Sequence, residues 1–153
     1  MNTLDSFVAY FSDEKIDGVL KIGSSFFKID EEQAALIREI KKNSGKDPKY
    51  AGKLLGETRR GRFEPSVALL DILGKKTKRK IVIDDNAEWL FLCGRDVFGR
   101  SILKADVQTG FVIVQNKTGD TLGFGRITDD LLKKNKAVVD NKLDRGDFLR
   151  REL

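Results

Sequence analysis

The chain has 153 residues, 40% hydrophobic and 35% charged, with a formal net charge of +5. That length suits one ordinary domain or two small ones, and the apolar fraction supports a packed core, which excludes wholesale disorder. With no histidine and a single cysteine, a Cys/His zinc site, a Ser-His-Asp triad and a Cys-His pair are excluded, while carboxylate or lysine chemistry remains open.

The charge is uneven. Residues 1–40 carry net −4, residues 41–80 net +9, and residues 81–153 net 0. The middle block contains Lys41-Lys42, Arg59-Arg60-Gly61-Arg62 and the run from Lys75 to Lys80. A segment this basic attracts a polyanion by releasing its counterions, although most charge runs only solvate a surface. No apolar run approaches the ~20 residues of a membrane helix, so no membrane partner is expected. Met1 to Phe11 lacks a basic region and a small-residue cleavage site, so no secretory signal is expected there. The lone Cys93 cannot form an intramolecular disulfide, which suits a reducing, cytoplasmic compartment.

In chain order, Leu4, Phe7, Val8 and Phe11 stand at i, i+3, i+4 and i+7, the spacing of an amphipathic helix. Asp17-Gly18 makes a turn. Val19 to Ile22 and Phe26 to Ile29 form a hairpin across Gly23-Ser24-Ser25. Asp30 caps a second helix, with Gln33 three residues on and Glu31-Glu32 in the first turn. Ala34, Leu36, Ile37 and Ile40 are its apolar positions, and Asn43-Ser44-Gly45 stops it. Tyr50 to Glu57 is a strand, and Arg59 to Arg62 a turn. A third helix runs from about Pro65 to Leu73 with Gly74 as its stop.

After Lys80 the pattern becomes strand-rich. Strands are expected at Ile81–Ile83, Trp89–Cys93, about Ser101–Ala105, Phe111–Gln115, Leu122–Ile127, Ala137–Val139 and Phe148-Leu149. Short strands at even spacing suggest a small β-barrel. The fold class is therefore α+β, with an α+β domain over residues 1–78 and a mostly β domain over 79–153.

Catalytic motifs do not assemble. Gly74-Lys75-Lys76 lacks the earlier glycine of a phosphate loop, since that position is Leu69, and it follows a helix rather than opening one. Gly123-Phe124-Gly125 is not a dinucleotide fingerprint, because the third glycine position is Thr128. Its glycines suit barrel curvature, whereas Gly94 and Gly99 suit close approach of a polyanion's backbone or, equally, a sheet bend. In a regular strand Asp84 and Asp85 point to opposite faces, and a helix cap at Thr128 accounts for Asp129-Asp130. Cys93 is expected to be a small buried hydrophobe. No enzyme, cofactor or metal is expected.

The stretch from Asn86 to Ile102 resembles the opening of a PUA domain, an RNA-binding module. Leu122 to Ile127 and Leu143 to Arg150 are similar to its later pieces. Gly52 to Gly56, with Phe63 and Ala68 to Leu73, resembles the pre-PUA domain of the Nip-seven ribosome-biogenesis family. Together these cover about residues 50–153, and the short, His-free form is archaeal-like. The resemblance implies an antiparallel sheet with helices followed by a PUA-type pseudo-β-barrel. It also implies a non-catalytic RNA-binding factor in maturation of the large ribosomal subunit. One departure is notable: many PUA modules carry a histidine before the final Gly-Asp, and here the region holds Asp140-Asn141-Lys142.

The expected RNA contacts are Arg95 and Arg100 beside the glycines, Phe98 as a base-stacking ring, and the basic cluster Lys133, Lys134, Lys136, Lys142, Arg145, Arg150 and Arg151. The alternative for the cluster is a solvated edge, which nearby Asp129, Asp130, Asp140, Asp144 and Asp147 favour. Trp89, inside an apolar strand, is expected to pack in the core or at a domain interface rather than to stack on a base. The expected partner is single-stranded rRNA or pre-rRNA, with ribosome-assembly or exosome-type proteins, and the chain is expected to be a monomer. The alternative function is the RNA-targeting subunit of a modification enzyme.

Overall fold

The computed structural model describes residues 1–147 and residue 150. The chain divides into two compact units, Met1–Leu69 and Leu70–Leu153.

The first unit begins with α1 (Leu4–Phe11), and the four apolar positions set by its spacing are all buried. Thr3 caps it: its hydroxyl accepts from the Ser6 N–H, and the Ser6 hydroxyl accepts from the Thr3 N–H in return. Four antiparallel strands follow as a meander in the order β1 (Val19–Ile22), β2 (Ser25–Lys28), β3 (Lys53–Arg59), β4 (Arg62–Pro65). Phe7 packs against Phe63 with ring centroids 5.5 Å apart, joining helix to sheet. Gly56 permits that contact. Its φ of +155° and the Phe63 ring beside it leave no room for a Cβ.

Between β2 and β3 lies α2 (Glu31–Ser44). The expected capping box is present: the Gln33 N–H donates to Asp30 at 2.8 Å, and the Asp30 N–H to the Gln33 side chain at 2.9 Å. Gly45 ends the helix at φ +70°. No residue of α2 is fully buried, and Leu36 is 57% exposed, so caps and charges hold this helix more than core packing does. Pro65 does not open the third helix. It ends β4, an edge strand that tolerates a missing N–H, and α3 (Val67–Gly74) starts after Ser66, whose hydroxyl accepts from the Leu69 N–H.

The second unit is a curled, half-barrel sheet of six strands. They run in the order β6 (Val97–Phe98), β10 (Ala137–Asp144), β9 (Thr121–Ile127), β8 (Gly110–Gln115), β5 (Lys80–Ile83), β7 (Ile102–Ala105). All neighbours are antiparallel except β5 and β8. Ile81, Ile83, Val112, Val114, Leu122, Val138 and Val139 fill its interior. Gly123 and Gly125 let β10 pass close: a Cβ on either would overlap a β10 carbonyl. Sheet geometry therefore accounts for both, as expected.

The main correction concerns the run at Trp89. Asp85–Leu92 is a helix, α4, not a strand. Asp84 caps it, accepting from the Ala87 N–H at 2.8 Å, and Asp85 and Glu88 sit in its first turn. Ala87 and Phe91, four residues apart, face the core, while Trp89 is 69% exposed. Trp89 is thus not a core residue, and Cys93 is exposed rather than buried. A second correction falls at Thr128: no helix follows it, and the chain runs through turns at 131–132 and 134–135 instead. β10 runs five residues beyond the expected Val139, to Asp144. The expected strand Phe148-Leu149 lies outside the described residues. The α+β class holds.

Candidate nucleic-acid interface

At one edge of the second sheet, β6 presents Val97 inward and Phe98 outward. Phe98 pairs with Ala137 on β10. A single 3-10 turn, Gly99–Ser101, follows. Its backbone is fastened to the lysine loop: the Gly99 N–H donates to the Lys136 carbonyl and the Arg100 N–H to the Lys134 carbonyl, each at 3.1 Å. The loop runs so close that a Cβ at Gly99 would overlap the carbonyls of Leu131 and Lys133. Protein backbone alone therefore requires that glycine. The Arg100 guanidinium lies 4.7 Å from the centroid of the Phe98 ring, an exposed cation–π pair.

Within the loop the lysines are unequal. Asp129 accepts from Lys133 at 2.9 Å and from Lys136 at 2.5 Å. Lys136 first, then Lys133, hold the Asp129 carboxyl well below the usual carboxylate range, and Asp129 in turn raises Lys133. Lys134 has no ion-pair partner among the described residues. The surface therefore offers Arg100 and Lys134 as uncompensated cations, with Lys133 and Lys136 half-neutralised beside them.

The remaining expected contacts separate from this group. Arg95 is exposed just beyond the C-terminal end of α4. Lys142, on β10, is 3.8 Å from Asp140. Arg145 is engaged internally: it pairs with Asp71 and donates to the Thr121 carbonyl at 2.6 Å. Arg150 grips the buried Asp144 with two nitrogens, at 2.9 and 3.1 Å, and donates to the Leu92 carbonyl. That carboxylate raises the guanidinium further above its already high ordinary value. Arg145 and Arg150 thus fasten the domain. Arg151 lies outside the described residues.

One residue, Trp89, was assigned to the core, and two roles, those of Arg126 and Asn141, escaped the sequence reading. Trp89 stands exposed on α4 because the core takes Ala87 and Phe91. Arg126 is the single exposed position of β9 and lies 5.9 Å from the Phe111 ring; alternation does not mark it, because Leu122 and Phe124 on the same face are buried. Asn141 occupies the region where a histidine was noted as missing. Its side chain donates to the carbonyls of Phe91 (2.8 Å) and Arg95 (3.3 Å) and to Asp144 (3.1 Å), tying the end of α4 to β10. No local sequence signal marks that role.

Residues 79–153 match the family model of the UPF0113 PUA domain. A PUA domain, a module that generally binds RNA, therefore forms the C-terminal half. The chain is 35% identical over 113 residues to a UPF0113 protein of Archaeoglobus fulgidus, a match covering 69% of this chain; the chain spans 64% of that relative's length. Among solved structures, it resembles a conserved PUA domain protein of Thermoplasma acidophilum at 23% identity and a TM-score of 0.56, covering 81% of this chain and 96% of that one. It also aligns with a hypothetical protein of Pyrococcus horikoshii at 26% identity and a TM-score of 0.48, covering 63% and 68% of the two chains. The family match and the Thermoplasma likeness support the expected PUA fold. No helix among the described residues is long and apolar enough to cross a membrane.

Proposed function

We propose that the protein is a non-catalytic RNA-binding factor that acts in maturation of the large ribosomal subunit. In this reading the PUA domain grips single-stranded rRNA or pre-rRNA at the Phe98–Arg100 platform. The carrying observation is that platform: an exposed ring and guanidinium, locked by two backbone hydrogen bonds to a lysine loop, at a place the core does not need. An aromatic face accepts any base, and the unpaired cations hold phosphates without reading sequence. The ribosomal assignment rests on the pre-PUA resemblance of Gly52 to Leu73 to the Nip-seven family. Crosslinking the chain to RNA in its own cells and sequencing the bound fragments tests it. Enrichment of large-subunit rRNA precursors is expected. Enrichment of tRNA together with a stoichiometric modification enzyme refutes the ribosomal role and favours the targeting-subunit alternative.

A further inference from the structure

The first unit carries a groove of about 380 Å³ whose charged lining is mainly acidic. Leu4, Val8 and Ala9 of α1, with Ile16 and the exposed Val19 at the start of β1, give it an apolar lining. Its other lining residues include three carboxylates, Asp5, Asp13 and Glu14, against one ammonium, Lys15. Helix α1 ends beside it with no basic residue in its last turn, so the partial negative charge of the helix C-terminus adds to the same sign. The loop below is fixed rather than loose: the Ser12 N–H donates to the Val8 carbonyl at 2.9 Å, and the Glu14 N–H to the Ser12 hydroxyl at 3.1 Å.

Charge decides the occupant. The lining sets three carboxylates against one ammonium, so the groove itself disfavours a polyanion and draws in a cationic partner. The apolar floor requires that partner to bring aliphatic side chains as well. We propose that this groove docks a basic amphipathic segment of a partner protein, its apolar side chains seated on Ala9 and Val19 and its lysines or arginines meeting Asp5 and Asp13. Such grooves take one apolar face of a short segment while flanking charges set orientation. The protein would then hold RNA on one unit and a protein on the other, which goes beyond the RNA-binding reading and does not depend on it.

The test uses the full chain, isotope-labelled, titrated with a fluorescein-labelled amphipathic Leu/Lys peptide, with a Leu/Glu peptide of the same pattern as control. Amide shift changes confined to residues 4–19 are expected, with no response to the Leu/Glu peptide. Ala9→Arg adds a cation and bulk at an exposed helical position that the core does not use. It should weaken the Leu/Lys peptide about tenfold or more, by like-charge repulsion and filled volume, while leaving RNA affinity unchanged. Shift changes centred elsewhere, no binding, equal binding by both peptides, or an unchanged affinity in Ala9→Arg would each overturn the proposal. Perturbation of residues 4–19 by RNA would mark the face as a nucleic-acid surface and overturn it too.

Discussion

Trp89 and Phe91 stand two residues apart on α4, and truncating each to Ala gives opposite outcomes. Phe91 is 0% exposed and belongs to the main core of the second unit, whereas Trp89 is 69% exposed. Phe91→Ala removes a buried ring and leaves a cavity that the surrounding sheet fills only in part, at a cost of about 3–5 kcal/mol. For a domain of this size each kcal/mol shifts the melting temperature by roughly 4–8 °C, so a drop of about 12 °C or more is expected. Trp89→Ala loses little burial, and Ala is the better helix former by about 0.5 kcal/mol, so its melting temperature should stay within a few degrees of the parent. Scanning calorimetry of both variants, with a denaturant titration to check that the slope is preserved, measures the contrast. If Trp89→Ala destabilises as much as Phe91→Ala, Trp89 is packed and the orientation of α4 is wrong. The outcome also bears on function, because an exposed Trp89 remains available to stack on a base.

Replacing Asp129 by Asn releases Lys133 and Lys136, so RNA affinity should rise and the log–log salt dependence should steepen by up to about −1.4, two contacts at roughly −0.7 each for a single strand; an unchanged slope in an anisotropy titration would show that these lysines do not meet phosphate. Among single changes, Lys134→Ala should weaken RNA more than Lys133→Ala, since Lys133 is already paired with Asp129; equal losses would contradict that ranking. Because the Asp129 carboxyl is held below its ordinary value, its pairing adds stability above the unfolded carboxylate range, and that contribution is lost only as pH falls through the depressed folded value. Carboxyl NMR should therefore show Asp129 still ionised at a pH where ordinary surface carboxylates are largely protonated. Gly99→Ala should lower RNA affinity by displacing the lysine loop, because its Cβ would meet the carbonyls of Leu131 and Lys133; wild-type affinity in that variant would show that the loop position is immaterial.

What the sequence made legible was local. The i, i+3, i+4, i+7 spacing of Leu4, Phe7, Val8 and Phe11 identified α1 and its buried face, and Asp30 with Gln33 located the start of α2 by a hydrogen-bond pattern written within four residues. The run from Trp89 to Cys93 misled because a short continuous apolar stretch carries no periodicity of its own. The arbitrating signal was the cap at Asp84 with acids behind it. Thr128 with Asp129-Asp130 carried the same kind of signal but opened no helix: the Asp130 carboxylate accepts from the Leu132 N–H two residues on and holds a turn instead. Long-range partners were not legible at all. Nothing near Arg145 announces Asp71, 74 residues earlier, and nothing near Asn141 announces the carbonyls of Phe91 and Arg95. The sequence therefore nominated the cations of the PUA domain without separating those that fasten the fold from those that face solvent.

The most direct measurement is the affinity of the full chain for a fluorescein-labelled single-stranded RNA, compared between the parent and the double variant Phe98→Ala/Arg100→Ala. One stacked base is worth about 1–3 kcal/mol, so a loss of about tenfold or more is predicted with the melting temperature preserved. An affinity within twofold of the parent, in a variant shown to be folded, would contradict the assignment of the RNA interface to this platform.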